Sequence, residues 1–495
     1  MLDSYYEIEQ DGRKYFGNVT LTEFHQFERD GEHYLFNVAT MTPYRLSEPV
    51  ARLVDRVSSP FSATLLPERA MEELKKLGLV AGLDRPTAPA PEPAANATEP
   101  TEPAEPAGGK SDIGRFVDAI SLFVAQQCNM ACVYCYGQGG EYAEKGMMSA
   151  ATAFKAVDWL MENSGGIETV GISFFGGEPM MNFPLIKKVV KYAKQAAEKR
   201  GKKVNFGITT NGSLLTDQRI AFLKEENIRP VISFDGPAEI QNRQRPFSNG
   251  KGSHAKVYAN IQKLRKVFPR VSARATLHGD ADPAEIRAGL EQAGFKSFGI
   301  IKAADVILDG IPADAPSQDQ SGERMLAMEA DMGRELVRDI KARKVGWAAK
   351  NGKVGFFVGR MMSGAKRHVY CGVGRRMAAI TASGDLYPCH RFAGQEDMKL
   401  GNVDSYRLDG GINDYHRAVV DNLPECQRCW ARYACGGGCF YEGKATRGDI
   451  HLPDPAHCQQ TKTMMEMAIP LYCQLDDADK DYVRGSLKTR LEDQI

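Results

Sequence analysis

Net charge is what this sequence most plainly lacks, because 63 lysines and arginines balance 63 aspartates and glutamates. A balanced chain has no bulk electrostatic attraction to nucleic acid or to an anionic membrane. It also lacks any stretch close to the roughly 18 uninterrupted apolar residues of a membrane helix. Its first residues, MLDSYYEIEQDGRKYF, contain no cationic stretch followed by an apolar run, so no signal peptide is indicated. We therefore expect a cytoplasmic protein that binds neither nucleic acid nor membrane.

Bulky apolar residues are absent from 86–106, PTAPAPEPAANATEPTEPAEP, which holds seven of the 25 prolines. Such a segment has nothing with which to bury a core. As an extended spacer it would reach about 65 Å, at about 3.1 Å per residue. We assign 86–110 as a linker between a small module, 1–85, and the rest of the chain.

The module opens with strand-like runs that are broken at two Asp-Gly dipeptides, Asp11-Gly12 and Asp30-Gly31. Such dipeptides are typical of hairpin turns. Helical patterns follow Ser47 and Pro67. The order of hairpin and short helices resembles the winged-helix elements, related to the PqqD proteins, that hold leader peptides in many peptide-modifying enzymes. A generic small domain is the alternative.

Cysteine is present in 11 copies, and in a reducing compartment clustered thiols bind metal more often than they form disulfides. Cys128, Cys132 and Cys135 are spaced C-x3-C-x2-C directly after the apolar run AISLFVA. Three thiolates hold three irons of a [4Fe–4S] cube and leave the fourth iron open. A zinc site is the alternative, but it needs a fourth ligand, and no cysteine or histidine follows before His254.

Apolar runs alternate with helical patterns from 111 to 310, which predicts an α/β fold with parallel strands. The runs are AISLFVA, VGISFF, VNFGITT, PVISFD and ARATL. Polar motifs stand where three of these runs end, and barrels of this kind place active sites at that edge. The motifs are Gly176-Gly177-Glu178-Pro179, Thr210-Asn211-Gly212 and Ser233-Phe234-Asp235-Gly236-Pro237.

These motifs, in this order after the three cysteines, identify the chain as a member of the radical S-adenosylmethionine (SAM) family. The resemblance implies a partial (β/α)6 barrel in which SAM chelates the open iron and is cleaved reductively to a 5′-deoxyadenosyl radical. A surface arginine is the alternative for the two arginines among the implied contacts. The SAM contacts that the resemblance implies are Tyr134, Gly176, Gly177, Glu178, Pro179, Thr210, Asn211, Ser233, Asp235, Arg245 and Arg274.

Seven further cysteines resemble the signature of the SPASM domain, which binds two auxiliary clusters. Two of them bracket Gly384 as C-x12-G-x4-C, four read C-x2-C-x5-C-x3-C, and one closes the set. A zinc knuckle is the alternative for C-x2-C alone. The resemblance implies three [4Fe–4S] clusters in all, with Cys371, Cys389 and Cys439 on auxiliary cluster I and Cys426, Cys429, Cys435 and Cys458 on auxiliary cluster II.

The chain departs from the related anaerobic sulfatase maturases at two positions. They have a further cysteine six residues after the first, where this chain has Met377, so auxiliary cluster I is left one protein thiolate short. They have an aspartate where this chain has His390, a candidate base or a residue that supports a ligand. The segment around His390 looks more like thioether-forming peptide maturases and the quinohemoprotein amine dehydrogenase maturase. Cys473 is expected to be a buried thiol on an apolar helix.

The domains we predict are the module (1–85), the linker (86–110), the barrel (111–310), a helical connector (311–369), the SPASM domain (370–475) and a C-terminal helix (476–495). The function we predict is thioether formation in a ribosomally made precursor peptide, whose leader the module holds. The electron donor would be a flavodoxin or ferredoxin. The alternatives are C–C crosslinking or oxidation of a Ser or Cys side chain. A polyferredoxin-like carrier is a further alternative, but a carrier needs no SAM-binding turn.

Overall fold

The protein is described by a computed structural model that covers residues 6–10, 13–17, 21–58, 66–80, 116–303, 321–344, 352–404 and 412–492. The predicted linker and the Asp11-Gly12 dipeptide lie outside these residues. None of the described helices combines the length and the apolar character needed to cross a bilayer.

The N-terminal module contains two small antiparallel sheets and two helices. Asp30 and Gly31 have φ of 53° and 74°, the left-handed backbone of a tight hairpin turn, so the turn predicted at this dipeptide is confirmed. The helices begin directly after Ser47 and Pro67, as predicted. The elements are β1 (Tyr6–Gln10), β2 (Arg13–Gly17), β3 (Phe24–Arg29), β4 (Glu32–Asn37), β5 (Thr42–Leu46), α1 (Glu48–Ser58), β6 (Leu66–Pro67) and α2 (Glu68–Lys76).

Six parallel strands form the central sheet, and the predicted apolar runs coincide with five of them. The predicted α/β class with a partial barrel is confirmed. The elements are β7 (Ala119–Gln126), β8 (Gly146–Met147), α3 (Ala150–Asn163), β9 (Thr169–Gly176), α4 (Phe183–Glu198), β10 (Lys203–Thr210), α5 (Asp217–Glu225), β11 (Ile228–Ser233), α6 (Ala238–Gln244), α7 (His254–Val267), β12 (Ser272–Leu277), α8 (Pro283–Gln292) and β13 (Ser297–Lys302).

Local sequence explains where the barrel helices begin. The side chains of Ser149, Thr216 and Asp282 accept hydrogen bonds from the first turns of α3, α5 and α8. Each such cap satisfies a backbone N–H that the helix itself leaves unpaired. Buried aliphatic and aromatic side chains from strands and helices then form one core around the sheet. The strand ends, with their polar motifs, are thereby held along one edge.

The cysteine-rich part of the chain continues the barrel sheet. Its first strand, β14 (Met377–Ile380), pairs in parallel with β7, and a hairpin strand and a short third strand follow. The remaining elements are α9 (Ser321–Lys341), α10 (Lys353–Ser363), β14 (Met377–Ile380), β15 (Asp385–Tyr387), β16 (Gly401–Asn402), α11 (Ile412–Arg417), α12 (Pro424–Gln427), α13 (Arg432–Cys435), α14 (Phe440–Arg447), α15 (Pro455–Cys473) and α16 (Asp477–Glu492).

The N-terminal module packs on the C-terminal helices, which its sequence did not indicate. Phe36 and neighbouring module residues share one hydrophobic core with α9, α10 and α15. The His25 ring stacks on Trp430 with centroids 3.8 Å apart, and His25 Nε2 lies 2.9 Å from Glu466 Oε1. Since Trp430 directly follows Cys429, the module adjoins a predicted cluster loop.

Candidate active site and cluster-binding cysteines

The three cysteines Cys128, Cys132 and Cys135 lie in the loop that leaves β7. Backbone hydrogen bonds connect this loop to the end of α6 and the segment after it, from Val133 N–H to the Gln244 carbonyl and from Ala131 N–H to the Pro246 carbonyl. Burial raises the pKa of Cys128 to about 12, and the nearby charges of Glu178 and the other two thiols act in the same direction. The three thiols therefore form one group at the edge of the barrel.

Glycine brings the end of β9 against this loop. Gly176 has a φ of 126°, and a Cβ added there would lie 2.1 Å from the Ala125 carbonyl oxygen. A Cβ on Gly177 would lie 2.2 Å from the Gln127 carbonyl oxygen. Only glycine permits an approach this close. The turn at Gly176–Pro179 and the cysteine loop are consequently in direct backbone contact.

The Glu178 carboxylate is completely buried and accepts hydrogen bonds from the end of the neighbouring strand, β10. Its Oε1 accepts hydrogen bonds from the Thr210 hydroxyl (2.7 Å) and the Met180 N–H (3.0 Å), and its Oε2 accepts from the Asn211 N–H (2.7 Å). Burial raises its pKa. A carboxylate offers about four acceptor sites, so the protein fills most of them. Contact of Glu178 with the SAM ammonium stays a prediction.

A buried cluster of polar side chains surrounds Asp235 at the end of β11. Its Oδ2 lies 3.0 Å from Arg245 Nε and accepts a hydrogen bond from the Tyr134 hydroxyl, while Oδ1 accepts from the Thr276 N–H (2.9 Å). Arg245 also lies over the Tyr134 ring, 5.2 Å from its centroid, and its Nη1 is 4.0 Å from Cys132 Sγ. The surface alternative for Arg245 is therefore wrong.

Arg274 and Ser233 are more exposed than Arg245 and Asp235. Arg274 is exposed on β12, where a Cβ added to Gly299 would lie 2.9 Å from its Nη1, so the surface alternative stays open for this residue. Ser233, at the end of β11, is half-buried. Their contact with SAM stays a prediction.

Sequence reasoning missed two polar residues beside the loop. Asn129 accepts a hydrogen bond from the Asn211 side-chain amide (2.9 Å) and donates one to the Ser213 hydroxyl (2.9 Å). The Asn211 amide also lies 3.8 Å from Cys128 Sγ. The only sequence signal was the position of Asn129 next to a ligand cysteine. These amides connect the cysteine loop to the end of β10.

The assignment of the seven C-terminal cysteines to two clusters stays a prediction, and electrostatic interactions among the thiols support it. Burial raises the pKa of Cys371 to about 11, and the charges of Cys389 and Cys439 contribute. Burial likewise raises the pKa of Cys426 to about 12, with contributions from Cys435, Cys429 and Cys458. Cys371 and Cys426 therefore interact with the thiols that the family pattern groups with them.

The thiols fit iron–sulfur clusters better than single metal ions. Among the described residues, no three His, Cys, Asp or Glu side chains converge as one ion would require. A cube binds each thiolate to its own iron, so its ligands need not meet at one point. The Tyr415 hydroxyl, which is 2% exposed and interacts electrostatically with Cys389, has no hydrogen-bond partner in the part of the chain that the structure describes. A buried group of this kind matches an acceptor such as cluster sulfur.

His390 lies between the barrel cysteines and auxiliary cysteines. Its ring is 4.8 Å from that of Phe175 at the end of β9 and 6.4 Å from that of Tyr136, which follows Cys135. Burial lowers the pKa of His390 to about 4. A role for His390 as a base stays a prediction. Its role in supporting Cys389, whose Sγ lies 3.8 Å from its Nδ1, stays a prediction.

Met377 and Cys473 lie apart from each other. Met377 begins β14 and packs in the core that surrounds Cys371, Cys389 and Cys439. Cys473 ends α15 and packs in the separate core that holds the N-terminal module. Cys473 is thus associated with a different part of the molecule from Cys371.

Comparison with known proteins identifies the barrel. The model of the Radical SAM superfamily matches residues 122–292. The chain is 26% identical over 350 residues to the serine-type anaerobic sulfatase-maturating enzyme of Bacteroides thetaiotaomicron, covering 64% of this chain and 80% of that enzyme. It is 21% identical over 368 residues to the cysteine-type enzyme of Clostridium perfringens, covering 69% of this chain and 94% of that enzyme.

Two further matches show how much of the chain is similar to other known proteins. A Methanocaldococcus jannaschii protein is 36% identical over 132 residues, and this chain spans 43% of its length. The solved structure of anSMEcpe with bound AdoMet and Cp18Cys peptide has a TM-score of 0.58 and 18% identity, covering 72% of this chain and 98% of that chain. Residues 122–292 therefore form a radical SAM domain, which implies a [4Fe–4S] cluster and SAM, and the chain is an enzyme homologous to the anaerobic sulfatase-maturating enzymes.

Proposed function

We propose that this enzyme matures a ribosomally made precursor peptide by joining a cysteine sulfur to an unactivated carbon, which forms a thioether. The observation that carries the proposal is the composition of the cysteine group around Cys371. It has three thiols with Met377 beside them, whereas Cys473 ends α15, where the nearby charges are those of Lys480 and Arg45. An auxiliary cluster there would keep one iron free for a substrate thiolate, and binding to iron favours that charged form.

The chain's own residues have distinct roles in this proposal. When bound, the cluster and SAM supply a 5′-deoxyadenosyl radical that removes a hydrogen atom from the peptide. Cys128, Cys132 and Cys135 hold that cluster, and the buried pair Asp235–Arg245 fixes a cation beside Cys132. Glu178 holds the glycine turn against the neighbouring strand end.

The electron balance of thioether formation gives a reason for clusters bound by the seven C-terminal cysteines. Cleaving SAM consumes one electron, and joining a carbon radical to a thiolate releases one. The proton leaves the substrate thiol when the thiolate forms. Seven cysteines in two groups provide ligands for two auxiliary [4Fe–4S] clusters, which would bring the total to three. We infer that auxiliary cluster I accepts the released electron and that a flavodoxin or ferredoxin supplies the first one.

The N-terminal module would hold the leader of the precursor. Its small sheets and the two short helices support this role by their resemblance to leader-binding elements. The leader would then restrict the core of the peptide to the neighbourhood of the barrel, which raises its effective concentration there.

The experiment is an anaerobic incubation of the enzyme with SAM, a reductant and candidate cysteine-containing precursors, followed by mass spectrometry. A thioether product has lost two hydrogen atoms and one free thiol. A product that lost two hydrogen atoms and kept all its thiols would contradict the thioether and favour a C–C crosslink or an oxidised serine.

Oxidation of a Ser or Cys side chain is the second candidate, and the identity to serine-type and cysteine-type sulfatase-maturating enzymes favours it. Its product is an aldehyde, which reacts with a hydrazide probe. A hydrazide-reactive peptide would support this candidate, whereas a thioether product does not react with the probe.

A further inference from the structure

Three charged or polar side chains form a continuous bridge between the two groups of C-terminal cysteines. Arg391 Nη1 lies 3.6 Å from Cys439 Sγ and 3.1 Å from Glu442 Oε1. On the other side, Glu442 Oε2 lies 3.8 Å from His457 Nδ1, and His457 Nε2 lies 3.7 Å from Cys435 Sγ. The bridge therefore runs from one group of thiols to the other.

The local folds hold each member of the bridge in place. Glu442 stands in the first turn of α14, three residues after Cys439. His457 stands in the first turn of α15, where its N–H donates to the Asp454 cap (2.9 Å), and the next residue is Cys458. The Arg391 guanidinium lies 4.0 Å from the centroid of the Tyr441 ring. The first turns of α14 and α15 and the packing of Arg391 on Tyr441 thus position the three side chains of the bridge.

Glycine makes the contact at His457 possible. Residues 436, 437 and 438 are glycines with φ of 83°, 98° and 84°, which form the chain between Cys435 and Cys439. A Cβ added to Gly438 would lie 3.2 Å from the His457 ring. The imidazole is consequently packed on bare backbone between the two cysteine groups. The glycine backbone of this loop therefore leaves room for His457 to take part in the bridge.

We propose that Glu442 is a positioning residue that sets the reduction potentials of both auxiliary clusters together. This inference rests on the proposed function, because it takes the seven cysteines as cluster ligands. Hydrogen bonds to cluster sulfurs and nearby charge are the protein's means of tuning a potential. Glu442 has one carboxylate oxygen on each side, so its charge acts on both groups and orients a polar partner toward each.

The bridge fits the electron transfer that thioether formation requires. One electron released at auxiliary cluster I reduces it, and its passage to auxiliary cluster II reoxidises the first cluster and reduces the second. That transfer needs two potentials in a fixed relation. A carboxylate shared by both clusters contributes to this relation, because its negative charge lowers the two potentials together.

The test is a redox titration of the reconstituted full-length enzyme, followed by electron paramagnetic resonance, in Glu442→Gln. Removal of a negative charge favours the more reduced clusters, so both auxiliary potentials should rise while that of the Cys128 cluster stays constant. Glu425→Gln is the matched control. Glu425 pairs with Arg447 (2.9 Å), and its charge acts on Cys426 and Cys458, which belong to one group only. This control should shift auxiliary cluster II alone.

Arg391→Lys keeps a cation but removes the guanidinium whose Nη1 contacts both Glu442 and Cys439, and it should shift auxiliary cluster I. A Glu442→Gln enzyme in which one or neither auxiliary potential moves would overturn the bridge. A wild-type enzyme that binds only the Cys128 cluster would overturn both this inference and the three-cluster function. If both potentials shift together but no peptide gains a thioether, the bridge stands and the proposed reaction fails.

Discussion

Arg245 and Asp235 form a buried ion pair at the end of the fourth barrel strand, with Nε 3.0 Å from Oδ2 and exposures of 8% and 0%. Neither charge is solvated, so each depends on the other. Tyr134 and Thr276 complete the hydrogen bonds of the carboxylate. The pair connects the cysteine loop to two barrel strands.

We expect Asp235→Asn to destabilise the enzyme by about 3–5 kcal/mol, because it leaves the Arg245 guanidinium buried without a counter-charge. Chemical denaturation of the purified enzyme measures this. Arg274→Gln, at an exposed arginine, is the control and should change stability by less than about 0.5 kcal/mol. Equal stability of the two variants would contradict the importance of the pair.

Replacing Cys128, Cys132 and Cys135 together with alanine should abolish the formation of 5′-deoxyadenosine. The two C-terminal groups of thiols are separate from this loop, so the variant should keep the iron of two clusters. Iron analysis and a 5′-deoxyadenosine assay on the same preparation test both points. Residual 5′-deoxyadenosine from the variant would show that other ligands hold the SAM cluster.

Phe36→Ala should lower the free energy of unfolding by about 3–5 kcal/mol, because Phe36 is fully buried in the core that the module shares with α10 and α15. Phe356→Ala is the matched control, since Phe356 is 42% exposed and loses less contact. Denaturant titrations of both variants give the comparison. Similar losses would mean that the module is not part of this core.

Cys473→Ala should keep the full iron content and activity of the enzyme, because the thiol packs with the N-terminal module. Cys439→Ala, the control, should lose auxiliary cluster I. Addition of a cysteine-containing precursor should then perturb the spectrum of that cluster in the Cys473→Ala enzyme. A fourth protein ligand on its open iron, found by spectroscopy or crystallography, would argue against the thioether mechanism.

Tyr415→Phe should lower the potential of auxiliary cluster I and leave the other two clusters unchanged. The substitution keeps the ring that packs edge-on against Phe440 and removes only the hydroxyl, so stability should change little. A redox titration reports the shift. An unchanged potential would mean that this hydroxyl does not donate to the cluster.

The barrel was predictable from sequence because its buried parallel strands appear as continuous apolar runs that end in polar motifs. The burial of Arg245 was not, since its partner depends on how α6 turns back toward β11. The contact between His25 and Trp430 joins residues at opposite ends of the chain, and no local pattern encodes it. The burial of His390 was not predictable either, because it depends on Phe175 and Tyr136 from other elements.

The parallel pairing of β14 with β7 holds the cysteine-rich segment beside the strand that leads to Cys128. Met377 lies opposite Ala119 and Ile380 opposite Leu122, so four consecutive residue pairs join the cysteine-rich segment to the strand that leads to Cys128. Electron tunnelling rates depend steeply on separation, and a shared sheet does not stretch. The pairing therefore limits how far the segment that follows Cys371 can move relative to the strand that leads to Cys128.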